Sequence, residues 1–403
     1  MGNVPFELYP VISKSILNLR SEERKHAYMS ILIVDDNPVN LIIIEKILKS
    51  EGFSDCIAAS SAHELYRYLR IDTGEPPEIS VDLILMDMMM PEIDGLEACR
   101  RIQQEESLRD IPIIIVTALG DSNKLADALD AGAMDYVMKP INKIELMARI
   151  RVALRLKKEI NWHIERDRKI RNELDLARQV QLSVLSEPID LGSICINATY
   201  NPTSELAGDM YSWYRIDDHR YGVILLDMMG HGISSSLVCM FIASVLKDTI
   251  TRLVDPELVI NELNRYMNQL YNRDHFIHYY FTAIYMVIDT ERRTIEYVNA
   301  GHPHGLLLKD GHTPVLLDQG SCAVGFFETI EIRKARIDYE DSVRMFLFTD
   351  GLEEAVEASG RTLVDELTTN PHGELNEVFD RLLPEEERQD QHDDMCMVMI
   401  TLL

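Results

Sequence analysis

Ile31-Leu32-Ile33-Val34-Asp35-Asp36-Asn37 is a four-residue apolar run that stops on two adjacent carboxylates. The same grammar returns three times. The run over 81–86 ends at Asp87, the run over 111–116 ends at Thr117, and Tyr136-Val137-Met138 ends at Lys139-Pro140. Between them lie helical patterns, the first over 41–49 and stopped near Gly52. Continuous apolar strands alternating with helices predict a parallel sheet covered on both faces.

In such a sheet, ligands bind outside the carboxyl ends of the strands. Asp35, Asp36, Asp87, Thr117 and Lys139 are therefore expected to converge. Crowded carboxylates repel, so a hard cation such as Mg²⁺ is the expected neutraliser. Lys139 and the cation would screen an incoming phosphoryl group. Asp87 would be the nucleophile that forms an aspartyl phosphate, and Thr117 would hydrogen-bond the phosphoryl oxygens. Singly, each is an ordinary surface group; together they are specific.

Residues 29–150 resemble the receiver domain of two-component response regulators. The resemblance rests on Val34-Asp35-Asp36-Asn37, Met86-Asp87 through Pro91 to Asp94-Gly95, Val116-Thr117-Ala118 and Lys139-Pro140. It implies a flavodoxin-like doubly wound fold, a cis Lys139–Pro140 peptide, Tyr136 as the aromatic switch, and the Met89 backbone carbonyl as a further Mg²⁺ ligand. It also implies a sensor histidine kinase as phosphodonor.

From 143 to 187 the chain carries no strong helix breaker, and apolar residues recur at roughly helical spacing. A long helical linker is expected, with a paired coiled coil as one arrangement, although Asp167 and Arg171 interrupt the seam. Residues 143–178 hold 11 Lys/Arg against 6 Asp/Glu, ordinarily a solvated helix face and only in the minority case a nucleic-acid contact. Residues 1–28 are weakly patterned; Ile12, Ile16 and Leu19 could form one short amphipathic helix.

After Pro188 strands dominate, over 195–200, 221–226, 280–288, 294–299, 304–308, 343–348 and 395–400, with helices over 234–253 and 256–271. Strands with segregated helices predict an α+β layered fold for 188–403. Four acidic points mark its strand ends or turns: Ala207-Gly208-Asp209, Leu226-Asp227-Met228-Met229-Gly230-His231-Gly232, Phe348-Thr349-Asp350-Gly351 and His392-Asp393-Asp394-Met395. Turns collect Asp and Gly for local reasons, which accounts for any one of these but poorly for four in order.

Their order resembles the PPM-type (protein phosphatase 2C-like) serine/threonine phosphatases, in the SpoIIE and RsbU branch. Glu173 through Gln181 looks like the helix that precedes that branch's catalytic domain, and Asn299-Ala300-Gly301-His302-Pro303 belongs to the pattern. The resemblance implies a β-sandwich flanked by helices. Asp227 would bridge two divalent metals, Mn²⁺ or Mg²⁺, with the Met228 carbonyl, Asp350 and Asp393 as further ligands and Asp209 holding metal-bound water. Asp394 is the alternative to Asp393. Such a metal pair makes water a nucleophile for in-line attack on phosphorus. Ala207, Ser212, Met228, Met229 and Cys396 depart from the usual residues without removing a ligand side chain. His231 and His302 are read as structural.

The resemblance further implies a phosphorylated anti-sigma-factor antagonist, a STAS-domain protein, as substrate, and activation of a stress-response sigma factor. It is compatible with a homodimer through linker or receiver. The alternatives are an inactive adaptor that binds a sigma-pathway protein and a nucleic-acid-binding regulator. A formal charge of −27 over 403 residues opposes nucleic acid and anionic lipid as partners. Six scattered cysteines form no CxxC pair and fit a reducing compartment. No apolar run is expected to span a bilayer, the longest being 111–119, so the cytoplasm is the expected location.

Overall fold

The computed structural model describes residues 29–403 apart from 72, 74, 119–121, 231, 271–278, 310–313 and 391–392. The proposed amphipathic helix at 12–19, His231 and His392 lie outside the described residues. Contacts divide the chain into two compact units, 1–169 and 170–403.

In the first unit, strands β1 (Ile31–Val34), β2 (Cys56–Ala59), β3 (Leu83–Asp87), β4 (Ile113–Ala118) and β5 (Asp135–Lys139) form a parallel sheet in the order β2-β1-β3-β4-β5. This is the flavodoxin-like doubly wound order. The continuous apolar runs follow from burial on both faces. Leu32, Val34, Ile84 and Met86 pack into one core, while Ile31, Ile33, Leu83 and Leu85 pack into the other. Each such side chain contributes roughly 1.5–3 kcal/mol when fully buried.

Local capping starts the helices where the sequence changes period. α1 (Pro38–Ser50) begins on Asn37, whose side chain accepts from Val39 N, with Pro38 pre-set for the first turn. α2 (Ala62–Leu69) begins on Ser61, and α3 (Gly95–Gln104) on Asp94. α4 spans Ser122–Asp130. Helix α5 (Lys143–Leu182) is 40 residues long. Its first turns pack Leu146, Met147, Ile150, Ala153 and Leu154 into the second of these cores; thereafter no residue of the helix is buried until Gln181.

The second unit is a four-layer α/β/β/α sandwich. Strands β6 (Ile189–Asp190), β7 (Ile194–Asn201), β8 (Met210–Arg215), β9 (Arg220–Met228), β10 (Phe281–Asp289), β11 (Thr294–Ala300), β12 (Gly305–Lys309), β13 (Val315–Leu317), β14 (Gly320–Ser321), β15 (Ala335–Asp338), β16 (Val343–Phe348) and β17 (Met395–Leu402) form two six-stranded sheets. One runs β14-β11-β10-β9-β8, with β15 also on β11; the other runs β13-β12-β16-β17-β7-β6. Alternate residues face inward. Val223, Leu225, Ile284 and Met286 of one sheet meet Met345, Leu347, Val398 and Ile400 of the other. The opposite faces are covered by α6 (Ile233–Leu253) and α7 (Pro256–Gln269) on the first sheet, and by α8 (Asp350–Ala358), α9 (Leu363–Thr369) and α10 (Leu375–Leu382) on the second.

Several elements escaped the sequence reading, among them β2, β6, β8, β13, β14, β15 and the three short helices α8–α10. One expectation is corrected. Among the described residues α6 is long and apolar enough to cross a membrane by length and composition. Its apolarity serves packing, since Cys239, Ile242, Leu246 and Ile250 are fully buried on the first sheet.

Candidate functional site

The first unit gathers acidic groups at the carboxyl ends of β1 and β3. One oxygen from each of Asp35, Asp36 and Asp87 lies within 4.8 Å of the others. Lys139, from the end of β5, donates to Asp87 Oδ1 at 2.7 Å and to Asp35 Oδ2 at 3.0 Å. Asp35 is held by the Asn37 amide at 2.9 Å and by Asn40 Nδ2 at 2.9 and 3.0 Å. Asn40 was missed from sequence; its place on the first turn of α1, just after the acidic pair, was the available signal.

Thr117 is buried at the end of β4, and its hydroxyl donates to the Ala118 carbonyl at 3.2 Å. Tyr136 is half-buried beneath the Arg149 guanidinium, 5.3 Å from the ring centroid. The Lys139–Pro140 peptide is cis. Met89 lies on the loop after β3 with its side chain exposed. Gly95 is required by close approach, since a Cβ there would stand 2.2 Å from the Asp87 carbonyl oxygen.

Burial raises the pKa of Asp87, and the Asp35 and Asp36 charges add to this, against the opposing bond from Lys139. Burial works against the Lys139 ammonium, yet its bonds to Asp87 and Asp35 outweigh it and hold its pKa above the ordinary value. Oxygen-only donors with excess negative charge fit a hard divalent cation.

In the second unit the acids sit at one end of the sandwich. Asp227 shares the inward parity of Val223 and Leu225, and Thr349 that of Leu347. Asp394 shares the parity of Cys396 and Val398, and Asp209 that of Tyr211 and Trp213. Four strand termini from two sheets thus aim polar groups into one opening between the layers. Gly351 permits the closure of two of them, since a Cβ there would meet the Asp394 carbonyl oxygen at 2.2 Å.

Burial raises the pKa of Asp209 well above the carboxylate range, and the Asp227 charge adds to it. Asp227 is pushed up to about 7 by burial and then by the charges of Asp350 and Asp393. Asp350 is raised by burial and by Asp393. Carboxyls that oppose one another's ionisation in this way form a site that cations would relieve, and their donor chemistry fits Mn²⁺ or Mg²⁺. Among the described residues no three of these carboxylates close to the 4.8 Å of the first unit's acidic group.

The adjacent pair Asp393 and Asp394 divides its labour. Asp394 is buried; it accepts from Thr203 N at 2.8 Å, Thr203 Oγ1 at 2.9 Å and Gly208 N at 2.8 Å. Its oxygens are occupied by the fold. Asp393 acts electrostatically on Asp227 and Asp350. Thr349, unnoticed as a site residue from sequence, donates to Asp209 Oδ2 at 2.7 Å and accepts from Cys396 N at 2.9 Å. His302 is buried in a turn, bonded to Asn299 Oδ1 through its amide and to Thr282 Oγ1 through Nδ1 at 2.8 Å.

Comparison with known proteins gives two domain matches. Residues 31–151 match the response regulator receiver domain, and 217–403 match stage II sporulation protein E (SpoIIE). The chain is 38% identical over 234 residues to phosphoserine phosphatase RsbP of Bacillus subtilis, covering 57% of this chain and 58% of that protein. It is 33% identical over 125 residues to the DNA-binding dual master transcriptional regulator RpaA of Synechocystis, covering 31% and 48%. The chain thus spans about half the length of these relatives. Among solved structures, the SiaA-PP2C domain of Pseudomonas aeruginosa aligns at 19% identity and a TM-score of 0.49, covering 58% of this chain and 97% of that one.

Proposed function

Since one chain joins a response regulator receiver domain to a domain of the SpoIIE phosphatase family, we propose that it is a metal-dependent phosphoserine/phosphothreonine protein phosphatase governed by phosphorylation of Asp87. The observation that carries this reading is the placement of Asp209, Asp227, Asp350 and Asp393 at strand ends of the two sheets, at one end of the sandwich, where burial and neighbouring charge raise the pKa of the first three.

Asp227, Asp350, Asp393 and the Met228 carbonyl would hold two divalent cations, Mn²⁺ or Mg²⁺, and Asp209 would orient water beside them. When bound, the cations supply the charge that acidifies water and offsets the phosphoryl oxygens. In the reaction a water oxygen bonds to phosphorus as the ester P–O bond breaks in line. The serine or threonine oxygen leaves with a proton, and inorganic phosphate is released. Thr349 holds Asp209 by donating its hydroxyl proton to Oδ2, which fixes the carboxylate's orientation.

In the receiver, Asp35, Asp36, Asp87 and the Met89 carbonyl would hold Mg²⁺. An Asp87 oxygen takes the phosphoryl group from a phosphohistidine of a sensor histidine kinase; the N–P bond breaks and the imidazole keeps the electron pair. Lys139 and Thr117 bind the transferred oxygens, and Tyr136 changes its packing in response. Similarity to the phosphoserine phosphatase RsbP supports a phosphoserine substrate. We extend this to a phosphorylated anti-sigma-factor antagonist of STAS type, in a cytoplasmic pathway that releases a stress sigma factor. Trp162 and Leu176, exposed on α5 two heptads apart, are compatible with a homodimer through that helix.

The test is Mn²⁺-dependent release of phosphate from a phosphoserine-bearing antagonist, with and without acetyl phosphate. Wild type is expected to turn over and Asp227→Ala to be inert. Absence of turnover with Mn²⁺ present would instead favour a binding adaptor.

A further inference from the structure

We infer that Gln181 is a positioning residue for the second site, tying the last turn of α5 to the loop that presents Asp209. The inference rests on the phosphatase reading above.

Gln181 is buried, at 4% exposure, between Val180 at 51% and Leu182 at 41%. Its Nε2 donates to the Ala207 carbonyl at 2.7 Å, and its Oε1 accepts from the Ala207 amide at 3.1 Å. The side-chain amide therefore pairs with both backbone groups of one residue, as a neighbouring strand would. A primary amide suits this task because it offers a donor and an acceptor side by side in one plane.

From Ala207 the chain passes directly to the site. Gly208 N donates to Asp394 Oδ2 at 2.8 Å. Asp209 Oδ2 accepts from Thr349 at 2.7 Å, and the Asp209 carbonyl accepts from Tyr200 OH at 3.2 Å. The loop thus has anchors from β7, β17 and the β16 terminus, and Gln181 is the anchor from α5. Just downstream, Ser186 Oγ accepts from Trp213 N at 2.9 Å and the Glu187 carbonyl from Trp213 Nε1 at 3.0 Å. Segment 181–187 consequently holds both the loop before β8 and Trp213 within that strand.

Ala207 is fully buried, so withdrawal of the amide would strand its N–H and C=O away from water. The loop would then shift rather than tolerate the loss, and Asp209 would move with it. Placement of Asp209 accordingly depends on α5 remaining helical to its last turn. Any signal that unwinds or rotates that turn has an endpoint at the metal carboxylates.

The experiment uses the full chain with Gln181→Met, nearly isosteric and unable to make either bond, and Gln181→Glu, which keeps an acceptor for the Ala207 amide but opposes its carbonyl. Free Mn²⁺ is measured by electron paramagnetic resonance during titration, with Asp227→Ala giving the receiver baseline. Activity is followed over the same range. Gln181→Met is expected to weaken second-unit Mn²⁺ binding about tenfold, with kcat recovering at saturating Mn²⁺ and KM for the phosphoprotein little changed. Should this variant lose cooperative unfolding, Gln181→Glu carries the same comparison. An unchanged Mn²⁺ isotherm in a folded variant, with wild type active, overturns this inference alone. Wild type without Mn²⁺-dependent turnover overturns the phosphatase reading beneath it.

Discussion

Replacing Asp394 and Asp393 separately by alanine should produce opposite kinds of damage, although the residues are neighbours. Asp394 accepts three hydrogen bonds, two from backbone amides of Thr203 and Gly208 and one from the Thr203 hydroxyl. Charge-assisted bonds contribute roughly 1.5–3 kcal/mol each, and the abandoned amides would be left without partners. Loss of one negative charge near Asp209 and Asp227 relieves repulsion and offsets part of that cost. Three such bonds, less that relief, give a net expectation for Asp394→Ala of about 3–5 kcal/mol of destabilisation.

For a domain of this size, each kcal/mol shifts Tm by about 2–4 °C, so the second-unit transition should fall by roughly 6–20 °C. Asp393→Ala removes a charge that raises the pKa of Asp227 and Asp350 and also the acceptor of the Asp394 amide, two opposing effects, so without metal its Tm should change far less than that of Asp394→Ala. The same variant should abolish Mn²⁺-dependent phosphate release. The assay is thermal unfolding by circular dichroism in EDTA, paired with Mn²⁺ titration of activity. A destabilised Asp393→Ala beside an unaffected Asp394→Ala would refute the division of roles.

Three further outcomes are expected. Gly95→Ala should destabilise the receiver by roughly 1–3 kcal/mol and lower its phosphorylation by acetyl phosphate, because the new methyl meets the Asp87 carbonyl at 2.2 Å; urea unfolding with phosphate incorporation checks it, and wild-type behaviour in both would remove the close-approach argument. Acetyl phosphate should change the phosphatase rate of wild type and not of Asp87→Ala, as steady-state phosphate release will register; equal responses would exclude Asp87 as the input. Burial pushes His302 down to about 3 from 6.5, so the unfolded chain binds the extra proton between those values. Its contribution to stability is complete above pH 6.5 and declines as pH falls toward 3, by up to about 1.4 kcal/mol per pH unit. Urea unfolding of wild type and His302→Asn should therefore differ in slope between pH 6.5 and 5, and parallel slopes would show that His302 titrates normally.

The receiver was legible because each part of its site follows immediately on an apolar run. Asp35, Asp87, Thr117 and Lys139 are strand-end residues, and a parallel sheet leaves strand ends at one edge by construction. β2 was harder: it is four residues long, contains two alanines and is only partly buried, so its pattern carried little apolar contrast. β8 begins directly after Asp209, where a glycine-acid turn masked a strand whose inward face is aromatic. The helices α8–α10 run only seven to nine residues, too short for a helical period to stand out.

Local sequence thus determined which residue types stand at strand ends, and with them the two chemistries. Assignment between Asp393 and Asp394 was beyond it, because one residue of register exchanges a side chain that faces the Thr203 and Gly208 amides for one that faces Asp227. The functions of Thr349, Asn40 and Gln181 were equally hidden. Their partners lie 140, 5 and 26 residues away, brought within bonding distance by a sandwich closing between two sheets, by a helix turning back on its strand, and by a linker's last turn seating against a loop. Such pairings depend on long-range burial and on polar groups that water no longer satisfies, which emerge when the layers assemble.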